Sequence, residues 1–422
     1  MIPLNENYHV CPGCSLLCDD IEIKVEDNKI TQVNTACIKG VSRIKKDSDS
    51  TCRIDGKEES VEKAITRAAH ILKNSTNPLI FGLGNSTNEA QIKAIEMAKR
   101  TGAILDDTSS FCQGPTLKAI FEGKIKTCTL DDVRNHADVI VYWGADPANS
   151  HPRHNSKFAY YPRGKERQRG WDVDRKAIAV DVRMSHTAIL CGDNFYAVPV
   201  GKDEELIEAI ISAISGKVPK VSFDMDTKRI LQLANTLKKA KFGVIFAGLG
   251  LVYSLKDIEP IIKLISKLNE ISNFHLLPMV GHYNMRGFNE NLFNETGYIN
   301  RVKFEINENT NNITARHDPE YSVIEQLRNK KVDAAMIIGS DPLISMPGFV
   351  AEHLKNIPLI VIDPCETLTT KIADVVIPSA ISSIECKGSA IRMDGEKIHF
   401  NPAVSGNSLC DEQIIEKIME EL

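Results

Sequence analysis

Four cysteines in the first forty residues constrain the fold of this chain more than any other feature. Cys11, Cys14 and Cys18 lie in HVCPGCSLLC and Cys37 lies in TACIKG, so the spacing is C-x2-C-x3-C-x18-C. Four soft thiolates in one short segment form the ligand set of a [4Fe–4S] cluster. A structural zinc site also begins C-x2-C, but zinc knuckles usually repeat that pair, whereas Cys37 stands alone. The spacing therefore favours an iron–sulfur lobe over residues 1–57, with zinc as the alternative.

Length and charge exclude several classes of protein. With 422 residues the chain is too long for one hydrophobic core, which predicts two or three domains. The formal net charge of −5 predicts neither a nucleic-acid partner nor binding to an anionic membrane surface. No apolar run reaches the roughly 18 residues that a membrane span needs. The N-terminal segment MIPLNENYHV lacks a signal-peptide pattern, so we expect a cytoplasmic protein.

The remaining cysteines are expected to be reduced. Eleven cysteines in a cytoplasmic chain argue against disulfides and for metal ligation and buried thiols. Cys52 is not expected to ligate the cluster, although it lies in the same predicted lobe. Most of the seven cysteines outside the cluster motif are expected to be small core residues. The seven are Cys52, Cys112, Cys128, Cys191, Cys365, Cys386 and Cys410.

Beyond residue 57, short apolar runs alternate with helical stretches. The clearest runs are NPLIFGLGN, ADVIVYWGAD, KAIAVDVR, FGVIFAGLG, VDAAMIIGSDP and PLIVIDP. Runs that end at Gly, Asp or Pro and lead into helices predict parallel sheets with helices on both faces. Ligands of such sheets bind at the carboxyl ends of the strands. The loops GLGNSTNEA, WGADPANSHPRH, AGLGL and GSDPLISMP are expected there, so the sequence favours a large phosphate-bearing ligand.

Taken together, these features resemble the molybdopterin oxidoreductases, and most specifically the family of the B subunit of formylmethanofuran dehydrogenase. The motifs that carry the resemblance are SSFCQGP, WGADPANSHPRH, IAVDVRMSHTA, GHYNMRGFN, IIGSDP and ADVVIPSAISSIECKGSAIRMDG. The resemblance implies an α/β fold, with a small iron–sulfur β-lobe followed by two doubly wound parallel-sheet domains. The expected division is 1–57 for the lobe, 58–136 plus 319–422 for one pterin-binding domain, and 137–318 for the other.

The resemblance also implies an activity. Members of the family reduce CO2 to formate reversibly at a tungsten or molybdenum centre that holds two pterin guanine dinucleotides, and this feeds formylmethanofuran synthesis in methanogenesis or C1 metabolism. Cys112 matches the thiolate that ligates the metal, and a soft ligand on a Gly-Pro turn suits a metal in a sulfur shell. Lys39 matches the lysine between cluster and pterin. The sequence does not distinguish tungsten from molybdenum or the physiological direction.

Two positions of the active centre depart from the family pattern. Gln113 stands where histidine usually follows the metal-ligating cysteine, and glutamine cannot shuttle a proton near pH 7. Val280 stands where an arginine precedes the G-H-Y-N motif. Arg286 is the candidate replacement, because a guanidinium holds formate at two points. The expected catalytic group is Cys112, Gln113, Arg286 and His282.

Contacts to the two dinucleotides are expected in the strand-end loops. Asp181 and Asp341 are the preferred carboxylates, because a carboxylate at a strand end accepts hydrogen bonds from guanine or ribose. Aspartate after a strand is also a common turn residue, which leaves a purely structural alternative. The full set expected from the resemblance is Gly84, Asn85, Asp146, His151, Arg153, His154, Asp181, Arg183, Gly248, Ser340, Asp341 and Asp363.

The chain is expected to need partner subunits. Larger relatives close over the dinucleotides with a β-barrel domain, whereas only the helix-like segment EQIIEKIMEEL follows RMDGEKIHFNPAV here. The resemblance implies a separate β-barrel D subunit, an amidohydrolase-like A subunit, a C subunit and ferredoxin-like subunits. Two alternatives stay open: a non-catalytic scaffold that bears the cofactors, and another enzyme of the formate dehydrogenase type. Retention of Cys112 and of the four cluster cysteines favours the enzyme.

Overall fold

The computed structural model describes residues 8–46, 48–307 and 312–422. The segment MIPLNEN and Asp47, which belong to the predicted iron–sulfur lobe, lie outside the described residues. By their contacts the described residues form two compact units. The first unit contains the chain up to Phe111, then His282–Arg392 and Lys397–Leu422, and the second contains Cys112–Gly281 with Met393–Glu396. The three-part division expected from the sequence stays a prediction.

Strands make up four sheets in the described part of the chain. They are β1 (Tyr8–His9), β2 (Ile21–Glu26), β3 (Lys29–Asn34), β4 (Arg53–Ile54), β5 (Lys57–Glu58), β6 (Pro78–Gly82), β7 (Ile104–Asp106), β8 (Val139–Trp143), β9 (Lys176–Asp181), β10 (Phe195–Ala197), β11 (Gly243–Ala247), β12 (Phe274–Pro278), β13 (Val302–Asn307), β14 (Asn312–His317), β15 (Ala334–Ile338), β16 (Leu359–Ile362), β17 (Val375–Ile377), β18 (Gly388–Ile391) and β19 (Lys397–Phe400).

Helices connect most of these strands. They are α1 (Ile38–Ile44), α2 (Val61–Asn74), α3 (Asn88–Thr101), α4 (Gly114–Phe121), α5 (Leu130–His136), α6 (Pro147–Ser150), α7 (His154–Lys157), α8 (Trp171–Asp174), α9 (His186–Cys191), α10 (Asp203–Ile214), α11 (Thr227–Lys238), α12 (Leu249–Ser254), α13 (Glu259–Asn269), α14 (Met285–Thr296), α15 (Val323–Arg328), α16 (Pro342–Ser345), α17 (Gly348–Ala351) and α18 (Asp411–Glu421). Among the described residues, no helix combines the length and the apolar character that a membrane crossing requires.

The second unit contains a five-stranded, wholly parallel sheet in the order β10-β9-β8-β11-β12. Numbered along this unit alone, the order is 3-2-1-4-5, the arrangement of dinucleotide-binding sheets, and it reverses between β8 and β11. Every residue of β8, VIVYW, is buried. Alternate side chains of this strand, such as Trp143, pack into a core with α10, α11 and α13. A strand buried on both faces explains the unbroken apolar run in the sequence.

The main sheet of the first unit has nine strands, in the order β14-β13-β7-β6-β15-β16-β17-β4-β5. The five central strands are parallel, and antiparallel pairs extend both edges. Along the chain the parallel strands have the order 2-1-3-4-5, so the reversal lies between β6 and β15. One apolar cluster joins α2, α3 and α18 to one face of the sheet, and another joins α15 and α17 to the opposite face.

The residues at the ends of helices α3 and α5 are of the types that commonly cap helices. Thr87 begins α3 by accepting a hydrogen bond from the backbone N–H of Ala90, and Gly102 ends it with φ +66°. Thr129 and Asp132 form a capping box at the start of α5.

The parallel-sheet prediction is confirmed, because all six apolar runs form strands β6, β8, β9, β11, β15 and β16.

Three features differ from the sequence-based expectations. The segment after Cys37 forms helix α1, although a β-lobe was expected for residues 1–57. Strand β12 and the hairpin β13–β14 were not predicted. The expectation of no disulfide is wrong for one pair, because Cys386 and Cys410 form a disulfide with Cα atoms 6.1 Å apart. The pair is 24 residues apart in sequence, and only the approach of the α18 N-terminus to the 382–386 turn brings the thiols into bonding range.

Candidate functional site

In the second unit, the carboxyl ends of β8 and β11 are joined by close backbone contacts between glycines. Gly144 follows β8 with φ +57°, and Gly248 follows β11. A Cβ placed on Gly248 would lie 1.9 Å from the carbonyl oxygen of Gly144. A Cβ on Gly144 would lie 2.3 Å from the backbone nitrogen of Leu251. Only glycine permits this approach, which lies at the point where the strand order reverses and where ligands of such sheets bind.

Asp146, predicted to contact a dinucleotide, uses its carboxylate to hold the neighbouring loop. Its Oδ1 atom accepts from the backbone N–H of Thr187 at 3.1 Å and from the Thr187 hydroxyl at 2.6 Å. Asn149 donates to Oδ2 at 2.6 Å. Burial alone would raise the pKa of Asp146, but the hydrogen bonds from Thr187 and Asn149 outweigh it and lower the pKa. This side chain therefore stays ionised and joins the turn after β8 to the start of α9.

Asp181 and Arg183 stand at the end of β9, beside this turn. One oxygen of Asp181 accepts the backbone N–H of Arg183 at 3.2 Å and closes an Asx turn. The guanidinium of Arg183 lies 3.8 Å from Asp146, and two thirds of that side chain is exposed. Asp146, Asp181, Arg183 and Gly248 thus come together at one edge of the second unit's sheet, as the carboxyl ends of parallel strands must.

Cys112 and Gln113 immediately precede α4 in the same unit. Cys112 is half-buried and Gln113 is fully buried. The amide nitrogen of Gln113 donates to the carbonyl oxygen of Ala247 at 3.0 Å, which places the residue at the end of β11. Within the described residues, neither Gln113 Oε1 nor Thr116 Oγ1 has a hydrogen-bond partner. Buried polar atoms without partners are rare in proteins, so the surroundings of Cys112 suit a bound polar group such as the pterin-held metal.

Both histidine side chains of the HPRH motif contact other groups of the protein. One ring nitrogen of His151 bonds to the carbonyl oxygen of Val280 and the other to Ser150 Oγ, both at 2.8 Å. His154 is fully buried and meets the ring of Phe246 edge-on at 4.4 Å. Burial lowers the pKa of His154 to about 3, so the ring is neutral at pH 7. Arg153 is half-buried just before α7. The ring of His154 thus packs on Tyr142 and Phe246, the penultimate residues of β8 and β11.

In the first unit, predicted residues converge where β6 and β15 end. Gly82 closes β6 with φ +116°, and a Cβ there would lie 2.2 Å from the carbonyl oxygen of Ile338. Asn85 donates from its side chain to the carbonyl oxygen of Gly339 at 3.0 Å. The Cβ of Ser340 lies 3.1 Å from the Cβ position of Gly82. The loops that carry Gly84, Asn85 and Ser340 therefore meet at the crossover point of this sheet.

Asp341 repeats the arrangement of Asp146. Its Oδ1 atom accepts from the backbone N–H and the hydroxyl of Thr369, at 3.2 and 2.5 Å. Asp363 repeats the arrangement of Asp181, because it accepts the backbone N–H of the residue two positions later at 2.9 Å. Burial raises the pKa of Asp363 to about 6. Each unit thus has one strand-end aspartate that anchors a loop and another that closes an Asx turn.

His282 and Arg286 lie beside the first of these loops. A Cβ on Gly84 would be 3.2 Å from the Cβ of His282, and His282 Nδ1 lies 3.2 Å from Thr108 Oγ1. Burial, followed by the positive charges of Lys39 and Arg43, lowers the pKa of His282. Arg286 is buried in the first turn of α14, with its Nε atom 3.8 Å from Glu290.

Asn284 is a site residue that the sequence did not single out. It is fully buried, donates to Ser86 O at 2.8 Å and accepts from Ile391 N at 2.8 Å. Its side chain therefore joins the β6 loop, helix α14 and strand β18. A Cβ on Gly287 would lie 2.1 Å from Asn284 Oδ1, which explains the glycine of GHYNMRG. The available signal was that Asn284 and Gly287 stand together in the motif GHYNMRGFN.

Two of the four cysteines of the N-terminal motif, Cys11 and Cys37, lie beside glycines. Cys11, Cys14 and Cys18 are buried and Cys37 is half-buried. The thiols of Cys11 and Cys37 lie 2.9 and 3.9 Å from the position that a Cβ would take on Gly40. The backbone N–H of Gly13 points at Cys11 Sγ, 3.4 Å away. An N–H donor beside a thiolate and space kept free by glycine suit an iron–sulfur cluster.

Two further observations concern this cysteine group. Burial raises the pKa of Cys14, so this thiol stays protonated unless a metal displaces the proton. Lys39 is exposed on α1, two residues after Cys37. Across residues 8–46, 48–307 and 312–422, no three His, Cys, Asp or Glu side chains converge into a ready-made metal site.

Comparisons with known proteins give the family. No protein-family model matches the chain. The B subunit of tungsten-containing formylmethanofuran dehydrogenase 2 from Methanocaldococcus jannaschii is 36% identical over 419 residues, which cover 94% of this chain and 93% of the relative. The protein of the same name from Methanococcus maripaludis is 33% identical over 98% of both chains.

A solved structure supports the fold independently. A chain of the formyltransferase/hydrolase complex (FhcABCD) from Methylorubrum extorquens, crystallised with methylofuran, superposes with a TM-score of 0.68. The match covers 88% of this chain and 98% of that one, at 21% identity, and so concerns the fold alone. The identity to the two methanogen proteins over nearly their full length carries more. This chain belongs to the family of the B subunit of formylmethanofuran dehydrogenase, an oxidoreductase family.

Proposed function

We propose that this chain is the subunit in which CO2 and formate are interconverted. Cys11, Cys14, Cys18 and Cys37 hold a [4Fe–4S] cluster in this proposal, and Cys112 ligates tungsten or molybdenum between two pterin guanine dinucleotides. Both curated relatives are named tungsten-containing, which supports tungsten. The lobe of 1–57 and the pterin-binding domains of 58–136 plus 319–422 and of 137–318 are part of the same proposal.

The observation that carries this proposal is the repeated strand-end geometry of the two units. Each unit has five adjacent parallel strands whose order reverses once, and each has a glycine at φ +57° and an anchored aspartate at that reversal. A ligand with two similar dinucleotide arms matches a chain with two similar strand-end crevices. Beside Cys112, the oxygens of Gln113 and Thr116 that lack partners among the described residues fit a polar group at the second crevice.

The side chains have separate roles in this proposal. When bound, the metal–pterin centre and the cluster supply the two-electron step between CO2 and formate. Arg286 binds the carboxylate of formate at two points, with Glu290 limiting its net charge. The side-chain nitrogen of Gln113 continues to donate to the carbonyl oxygen of Ala247, and its side-chain oxygen acts as a hydrogen-bond acceptor. His282 is neutral at pH 7 and can accept a proton at a ring nitrogen.

Partner subunits complete the proposed enzyme. A β-barrel D subunit covers the dinucleotides, ferredoxin-like subunits bring electrons to the cluster, and an amidohydrolase-like A subunit uses the formate together with a C subunit. The relatives' designation as a B subunit and the multisubunit complex of the solved neighbour support such an assembly.

Metal analysis of the anaerobically purified complex tests the proposal. Mass spectrometry should find one tungsten or molybdenum per copy of this chain, and Cys112→Ala should lose CO2 reduction while keeping its iron. Cys191→Ala is the matched control, because burial raises the pKa of that thiol to about 12 and it is expected to stay an uncharged core residue. A native complex with neither metal would favour the scaffold alternative, and full activity in Cys112→Ala would overturn the proposed role of that thiol.

A further inference from the structure

The segment that leads into Cys112 begins with two buried carboxyl groups. Asp106 ends β7 and Asp107 follows it, and both side chains are fully buried in the first unit. Cys112 comes five residues after Asp107. Neither aspartate belongs to the residues expected from the sequence to bind metal, substrate or dinucleotide. A buried carboxyl pair needs a physical reason, because burying carboxylates without partners is costly.

Asp106 has partners for both of its oxygens. Oδ1 accepts the backbone N–H of Arg301 at 3.1 Å, and Oδ2 accepts the backbone N–H of Val323 at 2.7 Å. Burial nevertheless raises the pKa of Asp106 to about 6, and the hydrogen bonds limit the rise. At pH 7 this side chain is therefore mainly an anion that two backbone donors satisfy.

Asp107 is held differently. Its Oδ1 atom accepts from the hydroxyl of Ser109 and from the side-chain nitrogen of Asn289, the latter at 3.2 Å. Asn289 also donates to Ser109 Oγ at 2.8 Å, and Asn300 donates to the same oxygen at 2.7 Å. These four side chains form a buried network between the segment before Cys112 and helix α14, which also carries Arg286.

The surroundings of the second oxygen of Asp107 bear on the protonation state of this carboxyl group. Among the described residues, Oδ2 has no hydrogen-bond partner. Burial, reinforced by the charge of Asp106, raises the pKa of Asp107 to about 8. Charged or titratable groups on the surrounding segments include Arg301, His282, Arg286 and Glu290, and His317 bonds to the carbonyl oxygen of Asn300. If the carboxyl group of Asp107 is protonated at pH 7, Oδ1 still accepts its hydrogen bonds and Oδ2 carries no uncompensated charge.

We propose that Asp107, Ser109 and Asn289 form a clamp that positions the segment leading into Cys112 against helix α14. Asp107 is then a positioning residue for the metal centre, which rests on the function proposed above. The clamp acts through hydrogen bonds and not through charge, so an uncharged isostere should replace Asp107 but not Asp106. At Asp106 an amide would direct an N–H₂ group at a backbone N–H donor.

Hydrogen exchange in the intact complex tests the clamp without using activity. At pH 7, Asp107→Ala should speed exchange of the peptide 106–111 by about tenfold, because two hydrogen bonds are lost. Asp107→Asn should keep wild-type protection, whereas Asp106→Asn, the matched control, should lose it. Equal loss of protection in Asp107→Asn and Asp107→Ala would overturn the clamp. If Asp107→Ala does not assemble, the comparison of the two asparagine variants still decides.

The pH profile supplies a readout that a purely structural contact would not change. In the wild type, protection of 106–111 relative to free-peptide rates should fall as pH rises from about 4 to about 8 and then level off, since Asp107 ionises in the opened segment at a lower pH than in the closed one. Asp107→Asn should abolish this fall, and activity should follow the same two profiles. If the exchange rates of the variants agree with the clamp in a complex that contains no tungsten or molybdenum and has no activity, only the proposed function is contradicted. An unchanged fall in Asp107→Asn would contradict the clamp alone.

Discussion

Asp146 accepts two hydrogen bonds from Thr187, one from its backbone N–H at 3.1 Å and one from its hydroxyl at 2.6 Å. Asp341 and Thr369 repeat both bonds in the other unit. In each case the threonine oxygen also accepts a backbone N–H, from the residue two positions after the aspartate. Each threonine stands six residues after the aspartate at the end of the adjacent strand. The two sheets thus shape their crossover points with the same local device.

The repeated device should contribute measurably to stability in both units. Thr187→Val and Thr369→Val remove a hydroxyl that donates to a carboxylate and accepts a backbone N–H, while keeping nearly the same volume. Each should lower the free energy of unfolding by about 1–3 kcal/mol, measured by urea denaturation. Thr66→Val is the control, because that hydroxyl is exposed and bonds only to its own helix. A cost for Thr187→Val no larger than the control's would contradict the device.

Gly248 should tolerate no side chain. A Cβ there would lie 1.9 Å from Gly144 O, so Gly248→Ala must push the ends of β8 and β11 apart. We expect a loss of roughly 3 kcal/mol or more, read from the thermal unfolding midpoint. Gly348→Ala, with no described atom within 4 Å of its Cβ position, should change stability by less than about 1 kcal/mol. Equal effects of the two substitutions would show that the close approach is absent.

The iron–sulfur proposal predicts a specific loss on substitution of its most exposed ligand. Cys37→Ala should abolish the EPR signal of the reduced cluster assigned to this chain, because a cubane needs four thiolates here. Cys52→Ala is the control from the same unit and should retain the signal. Stoichiometric zinc in the wild-type chain, or a normal cubane signal in Cys37→Ala, would refute the assignment.

His154 should make the second unit sensitive to acid. Burial lowers its pKa from 6.5 to about 3, so the unfolded state binds a proton that the folded state does not. Stability should therefore fall as pH decreases from about 6.5 towards 3, by at most about 1.4 kcal/mol per pH unit. His154→Phe should remove that slope from denaturant unfolding curves, whereas the exposed His186→Phe should not. An unchanged slope in His154→Phe would show that other groups cause the acid sensitivity.

The sequence by itself determined six of the parallel strands and the sheet edges at which their loops meet. The apolar runs predicted the strands β6, β8, β9, β11, β15 and β16, because strands buried on both faces must be continuously apolar. The loops after these strands were expected to converge for the same topological reason. The motifs also identified the family, since they are spread along nearly the whole chain.

Tertiary structure alone decided what each polar side chain in those loops does. The expected contact of Asp341 with a dinucleotide stays a prediction, and only the fold shows that its carboxylate accepts bonds from Thr369, 28 residues away in sequence. The expected role of His154 at a cofactor also stays a prediction, and only the fold shows that its ring packs beside Phe246. The disulfide of Cys386 with Cys410 also depends on folding. Local patterns record burial and turn chemistry, whereas hydrogen-bond partners are chosen by strand order and loop packing, which bring distant residues within about 3 Å.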